Sequence, residues 1–220
     1  MQTDQAPLFA NRFAAGEFLA DKLSRETPHQ LDLVLALPRG GVPVAFPVAE
    51  KLCALLDIFI VRKLGVPGYE ELAMGAIATG GVQVLNQELV QHLSISEKMI
   101  RAVAQEELAE LQRREALYRD GREPPDIAGK HAVLVDDGLA TGASMRVAVP
   151  VASSETCEQF RHEVDEIVCG MTPEPFMAVG CWYEDFTQTS DDEVRDLLNR
   201  AAHLHRAEEV KRNHHLQPIT

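Results

Sequence analysis

Asp136 and Asp137 end an apolar run, Val133-Leu134-Val135, and are followed by a loop of glycine and small or hydroxylated residues up to Ser144. β-branched and aliphatic residues without alternation read as a buried parallel strand, so the two carboxylates fall at its carboxyl end, where open α/β sheets bind ligands. Paired acceptors there can take hydrogen bonds from the vicinal hydroxyls of a ribose, directly or through a bound Mg²⁺. Gly138 and Gly142 permit a tight turn, and Ala140, Thr141, Ala143 and Ser144 are small enough for successive N–H groups to converge on an anion. No lysine follows the glycine, so the nucleotide P-loop pattern is absent and a monophosphate held by backbone is the better match. The bland alternative is an acidic strand end followed by an ordinary turn.

Arg39, Gly40 and Gly41 form a second candidate, a cation and exposed amides just after another apolar strand, suited to clamping an anion. The competing reading is a glycine turn with a solvent-facing arginine. Arg62 and Lys63 place adjacent cations after Phe59-Ile60-Val61 and could serve an anion or simply be a solvated strand end. Glu70 and Glu71 fall in a stretch rich in glycine and charge and could orient an acceptor or be plain exposed charges. Trp182, Tyr183, Asp185 and Phe186 are the densest aromatic patch in a chain with 5% aromatics, able to stack on a planar base or to form a core edge.

The segments LALPRGGVPVA, VRKLGVPGYEELAMGAIA, VLVDDGLATGASM, VPVASSET and VGCWYEDF together resemble the type I phosphoribosyltransferases, and in particular a bacterial group of that family without an assigned acceptor. The resemblance implies an α/β fold, a doubly wound and mainly parallel sheet flanked by helices, with a small hood and a hairpin lid. It implies Mg²⁺-dependent transfer of the phosphoribosyl group from phosphoribosyl diphosphate (PRPP) to a nitrogenous acceptor, in nucleotide metabolism. Asp136 and Asp137 would hold the ribose hydroxyls and the metal, and Ala140, Thr141, Gly142, Ala143 and Ser144 the 5′-phosphate. Arg39, Gly40, Gly41, Arg62 and Lys63 would hold the pyrophosphate. Relatives of this type often form homodimers. A PRPP-sensing or regulatory protein of the same fold without turnover is the second reading, and a hydrolase acting on a phosphorylated sugar is a third and weaker one.

The elements that must position these residues follow from periodicity. Apolar residues at near-helical spacing between Asn11 and Arg25 predict a helix, and Leu31 to Leu37 a core strand. A helix from about Val42 carries Pro43 in its first turn and Pro47 inside, where a kink or a delayed start is expected. Leu56 to Val61 reads as a strand and Arg62 to Glu71 as a mobile loop, a lid candidate. Gly80-Gly81 between Ala76–Thr79 and Val82–Leu85 signals a hairpin. Ser94 with Glu97 and Ser190 with Glu193 form capping boxes that open a long helix ending before Gly121 and a terminal helix reaching about His205. Between them lie a strand at Val147–Ala152, a helix at Ser154–Val164 and a strand at Ile167–Cys169. Alternating strands and helices predict a doubly wound sheet in a single domain over residues 1–220.

The 220 residues suffice for one large core, and 45% hydrophobic with 25% charged residues is ordinary for a globular chain. A net charge of −13 without a basic run argues against a nucleic-acid-binding face. Cys53, Cys157, Cys169 and Cys181 show no CxxC spacing, and no signal peptide or membrane-length apolar run occurs, which predicts reduced thiols in a cytoplasmic protein. His203, His205, His214 and His215 crowd the carboxyl end, as a metal site or, more simply, a solvated helix and tail. One spacing is anomalous. Only Met145 and Arg146 separate the phosphate loop from Val147, so roughly fifteen residues of a normal parallel crossover are missing near 146–147. An omitted segment, a deletion, or a Val147–Ala152 stretch that is not the expected strand would each account for it.

Overall fold

The computed structural model describes residues 6–26, 31–138, 146–162, 164 and 166–215, with the backbone alone described at 146, 209 and 212–215. It divides into two compact units, one comprising residues 1–58 and 123–220, the other residues 59–122.

The first unit is built on a five-stranded sheet. Its strands are β1 (Leu33–Ala36), β2 (Leu55–Ile58), β6 (Ala132–Val135), β7 (Arg146–Val151) and β8 (Glu166–Met171), in the order β2-β1-β6-β7-β8. Every pairing is parallel. All four residues of β1 are buried, which is why its sequence lacks alternation. Helices α1 (Arg12–Glu26), α2 (Gly41–Leu52), α5 (Ser154–Phe160) and α6 (Asp191–His215) flank the sheet. Helix α2 runs without interruption through Pro47, so the proline neither delays its start nor ends it. The ring is used in packing: a Cβ on Gly16 of α1 would come within 2.5 Å of Pro47 Cγ and 3.0 Å of the Val44 carbonyl carbon. Gly16→Ala is therefore expected to cost about 2–3 kcal/mol by overpacking, read as a fall in thermal midpoint; an unchanged midpoint would show that the two helices can part.

The second unit is a three-stranded antiparallel sheet of β3 (Val61–Val66), β4 (Tyr69–Ala78) and β5 (Gln83–Leu85) with helices α3 (Gln87–His92) and α4 (Glu97–Arg119). Leu64, Val66, Met74, Ile77 and Ile100 form its core. Here the expected loop at 62–71 is corrected: those residues make β3 and the start of β4, joined at Pro67-Gly68, where Gly68 takes φ 82°. Glycines and charges suggested a loop, but Leu64 and Val66 alternate inward and carry the strand. The strand expected at Leu56 to Val61 accordingly splits between β2 and β3. The second hairpin is as predicted, with a 3₁₀ turn at Thr79–Gly81.

Two helix ends differ from expectation. Ser96, not Ser94, caps α4 by accepting from the Met99 N–H at 3.3 Å, while Ser94 takes φ 51° after the short α3, which Asn86 caps. Helix α6 is capped as expected by Ser190, whose Oγ accepts from Glu193 N–H at 3.1 Å, but it continues to His215. Pairs such as Arg200–Asp196 and Lys211–Glu208 support its exposed face, and no proline interrupts the sequence between Ser190 and Pro218. Helix α5 stops at Phe160, short of the predicted Val164.

The cysteines also depart from the reading of uniformly reduced thiols. Cys157 on α5 and Cys169 on β8 are joined in a disulfide, while Cys53 and Cys181 are free. Their spacing resembles no motif because the turn of chain through α5 into β8 brings them together, with Cα atoms 6.6 Å apart. A thiol titration of the unreduced protein is expected to find two thiols, and four after unfolding and reduction. Reduction should cost about 3 kcal/mol on loop-closure grounds; four thiols before reduction would overturn the pairing. Among the described residues no helix is long and apolar enough to cross a membrane.

Candidate functional site

Parallel pairing sets Ala36 beside Val135, so the loop leaving β1 and the acidic pair leaving β6 emerge side by side. That loop, Pro38 to Gly41, leads directly into α2. A Cβ on Gly40 would lie 2.8 Å from Asp137 Cγ, and one on Gly41 would lie 2.7 Å from the Val135 carbonyl oxygen. Only glycine lets the loop lie this close against the carboxylates. Arg39 extends from it, about one third exposed, with a guanidinium nitrogen 3.9 Å from Asp191 Oδ1 at the start of α6.

Asp136 and Asp137 have different partners. Asp136 Oδ1 accepts from the Asp137 N–H at 2.8 Å. Burial, followed by the neighbouring Asp137 charge, pushes its pKa up to about 8. Asp137 Oδ2 instead receives the Arg12 Nε–H at 2.9 Å, and the Tyr183 hydroxyl donates to the Asp137 carbonyl oxygen at 2.7 Å. Burial and then Asp137 drive the Tyr183 pKa upward, so its proton stays in place for that bond. Gly138 is buried against Val179. The proposed phosphate-loop residues Ala140, Thr141, Gly142, Ala143 and Ser144 lie outside the described residues.

Arg62 and Lys63 belong to the second unit. Arg62 Nε donates to Glu107 Oε2 at 2.6 Å, and Lys63 Nζ lies 3.3 Å from Glu71 Oε2 on the exposed hairpin. Glu70 and Glu71 stand on β4. The aromatic patch divides by role. Trp182 and Tyr183 are buried with Phe9, Ala15 and Val151, so the core-edge reading holds for both and the base-stacking reading does not. Phe186 carries the Arg12 guanidinium at 3.8 Å from its ring centre. Arg12 was not singled out from sequence, because an arginine in the first turn of an ordinary helix carries no motif. Past the ends of β7 and β8, on the same edge of the sheet as the acidic pair, Ser153, Ser154, Glu155, Glu174, Pro175 and Phe176 line an open cleft of about 530 Å³.

For a divalent cation the donor set is two adjacent carboxylates, and among the described residues no group of three or more His, Cys, Asp or Glu gathers. Hard oxygen donors in that number fit a Mg²⁺ that arrives with substrate phosphates and completes its shell from them.

A parallel sheet with an acidic pair and a glycine-arginine loop at its carboxyl edge defines an α/β protein whose candidate site sets carboxylates beside a cation. The chain belongs to the phosphoribosyl transferase domain family, whose model matches residues 6–163. It is 45% identical to a Mycobacterium tuberculosis protein described as a "putative phosphoribosyl transferase", in each of two strains, over 209 positions and 88% of this chain. The chain spans about half the length of those relatives, 47%. A crystal structure of TT1426 from Thermus thermophilus superposes with a TM-score of 0.73 at 33% identity, covering 87% of this chain and 98% of that one.

Proposed function

We propose that this chain transfers the phosphoribosyl group of PRPP, with Mg²⁺, to a nitrogen nucleophile, releasing pyrophosphate. The observation that carries the reading is the side-by-side emergence of the Arg39 loop and the Asp136–Asp137 pair from neighbouring parallel strands. Breaking the anomeric C–O bond makes the ribose oxocarbenium-like while negative charge grows on pyrophosphate. Arg39, swinging from Asp191, and the amide of Gly40 meet that leaving charge, while the Gly41 N–H is kept by the Leu37 carbonyl. Asp137 accepts from the ribose hydroxyls and offsets the positive charge forming on the sugar. Asp136 and Asp137 would also hold Mg²⁺, Asp136 giving up its proton to do so, and the ion would supply positive charge against the diphosphate. Residues 140–144 are assigned the 5′-phosphate, and the cleft between Ser153 and Phe176 the acceptor, which lies on the same sheet edge.

A second reading, PRPP binding without turnover, is favoured by the connection between β6 and β7. Leu134 pairs with Val147, so Val147 to Val151 is the strand expected beside β6, yet only residues 136–145 join the two. The match to the mycobacterial relatives runs over 209 positions but takes in 88% of 220 residues, about 194, leaving some fifteen positions of theirs unopposed. We assign that shortfall to the crossover, where a helix would otherwise present its amino terminus to the phosphate. Calorimetric titration with PRPP, with and without Mg²⁺, tests both readings, followed by assay of pyrophosphate release with nitrogenous acceptors. Mg²⁺-dependent binding with release supports the transferase, binding without release with any acceptor supports the sensor, and no binding by folded protein rejects both.

A further inference from the structure

We propose that Arg12 is the positioning residue of this site: it fixes the Asp137 carboxylate in its binding orientation and fastens the Phe186–Thr187 segment to it. For the identity of the ligand the inference rests on the PRPP reading above.

Three separate features of one guanidinium are in use. Its Nε–H donates to Asp137 Oδ2 at 2.9 Å, an NH₂ group donates to the Thr187 carbonyl oxygen at 2.7 Å, and its face lies on the Phe186 ring at 3.8 Å. The Arg12 and Asp137 side chains are only 11% and 18% exposed, so the pair is screened far less than a surface ion pair. The Gly40 backbone meets the same oxygen: a Cβ there would overlap Oδ2 and lie 3.3 Å from Arg12 Nε. Asp137 Oδ2 is thereby enclosed by the Gly40 backbone and the Arg12 guanidinium together. The Tyr183 hydroxyl ties down the carbonyl of the same residue. A lysine could replace the charge but not the planar fork or the stacking face.

The test compares wild type, Arg12→Met and Arg12→Lys by calorimetry with PRPP and, separately, inorganic pyrophosphate. It adds thermal unfolding of Arg12→Met, Asp137→Asn and the double variant. Arg12→Met is expected to weaken PRPP roughly 30-fold or more, as loss of a charged hydrogen-bonding partner does, with partial recovery in Arg12→Lys. Pyrophosphate titrated without Mg²⁺, which meets the Arg39 loop and not the Asp136–Asp137 pair, should change less than about twofold. The unfolding midpoints should be non-additive, because two residues in direct contact share one interaction. Unchanged PRPP affinity in Arg12→Met overturns the proposal, as does an equal loss for both ligands, which would mark general scaffold damage. Additive midpoints overturn it whatever binds. If wild type ignores PRPP while the midpoints remain non-additive, the functional reading falls and the hold of Arg12 on Asp137 is supported.

Discussion

Between pH 5 and pH 8.5 the ligand-free protein is expected to lose on the order of 3 kcal/mol of stability, and Asp136→Asn is expected to abolish most of that loss. In the folded chain Asp136 keeps its proton until about pH 8, whereas an unfolded aspartate releases it near 3.9. Between those values the folded state holds the additional proton, so raising the pH draws the equilibrium toward the unfolded chain. The whole window between the two values would give up to about 5 kcal/mol, and reorganisation around the Arg12–Asp137 pair reduces it. Asparagine is neutral at every pH and retains an oxygen for the Asp137 N–H. The groups with depressed pKa act in the opposite sense: Asp21 and Asp185 are lowered, and Glu110 sits at about 2 beside Arg113 and Arg114. Their contribution disappears only as the medium becomes more acid than the window of Asp136. Stability should therefore peak near pH 5, below the common range. Denaturant midpoints across this range check it; a flat wild-type profile or an unaltered slope in Asp136→Asn would refute the assignment.

Gly40→Ala and Gly41→Ala are expected to fail in different ways although they are neighbours. A methyl on Gly40 displaces a side chain, the Asp137 carboxylate, and with it the Arg12 contact. PRPP affinity should drop by about 100-fold for roughly 1 kcal/mol of stability, since a side chain can yield where a backbone cannot. A methyl on Gly41 instead meets the Val135 carbonyl at 2.7 Å and the Asp136 Cα at 3.0 Å, both main-chain atoms at the end of β6. There the loss is of fold, about 3 kcal/mol or more, because strand and helix must separate. Calorimetry and thermal unfolding of both variants separate these outcomes. Comparable stability losses would show that the loop moves as one piece.

The parallel strands were legible because β1 and β6 are continuous apolar runs bounded by turns, α1 because its apolar face recurs at helical spacing, and α2, buried throughout Gly41 to Ala49, because Pro43 marks a first turn. The acidic pair was legible for the same reason: its place follows from the end of a strand. The hairpin at 62–71 was misread because glycine and charge dominate its composition, while its strand character rests on a few inward residues such as Leu64 and Val66. The disulfide and the Arg12 contact were illegible on different grounds. Each joins residues distant in sequence or absent from any motif, Arg12 and Asp137 being 125 positions apart, and only tertiary packing places them together.

The unequal registers of the sheet carry a mechanical meaning. Strand β6 pairs with β1 at four positions and β7 with β8 at five, but β6 and β7 share only two, Leu134–Val147 and Val135–Ala148. The sheet is continuous, but its shortest register forms a seam with the carboxylates on one side and the Ser153–Phe176 cleft on the other. Helix α1 spans the seam: Gly16 packs on α2, Ala15 packs with Val151, and Lys22 Nζ donates to the Cys169 carbonyl oxygen at 2.6 Å. Amide exchange should accordingly be fastest at the seam and slowest at its two sides. Helix α1, a helix with no motif, then acts as a strap that helps set the spacing between the acidic pair and the cleft.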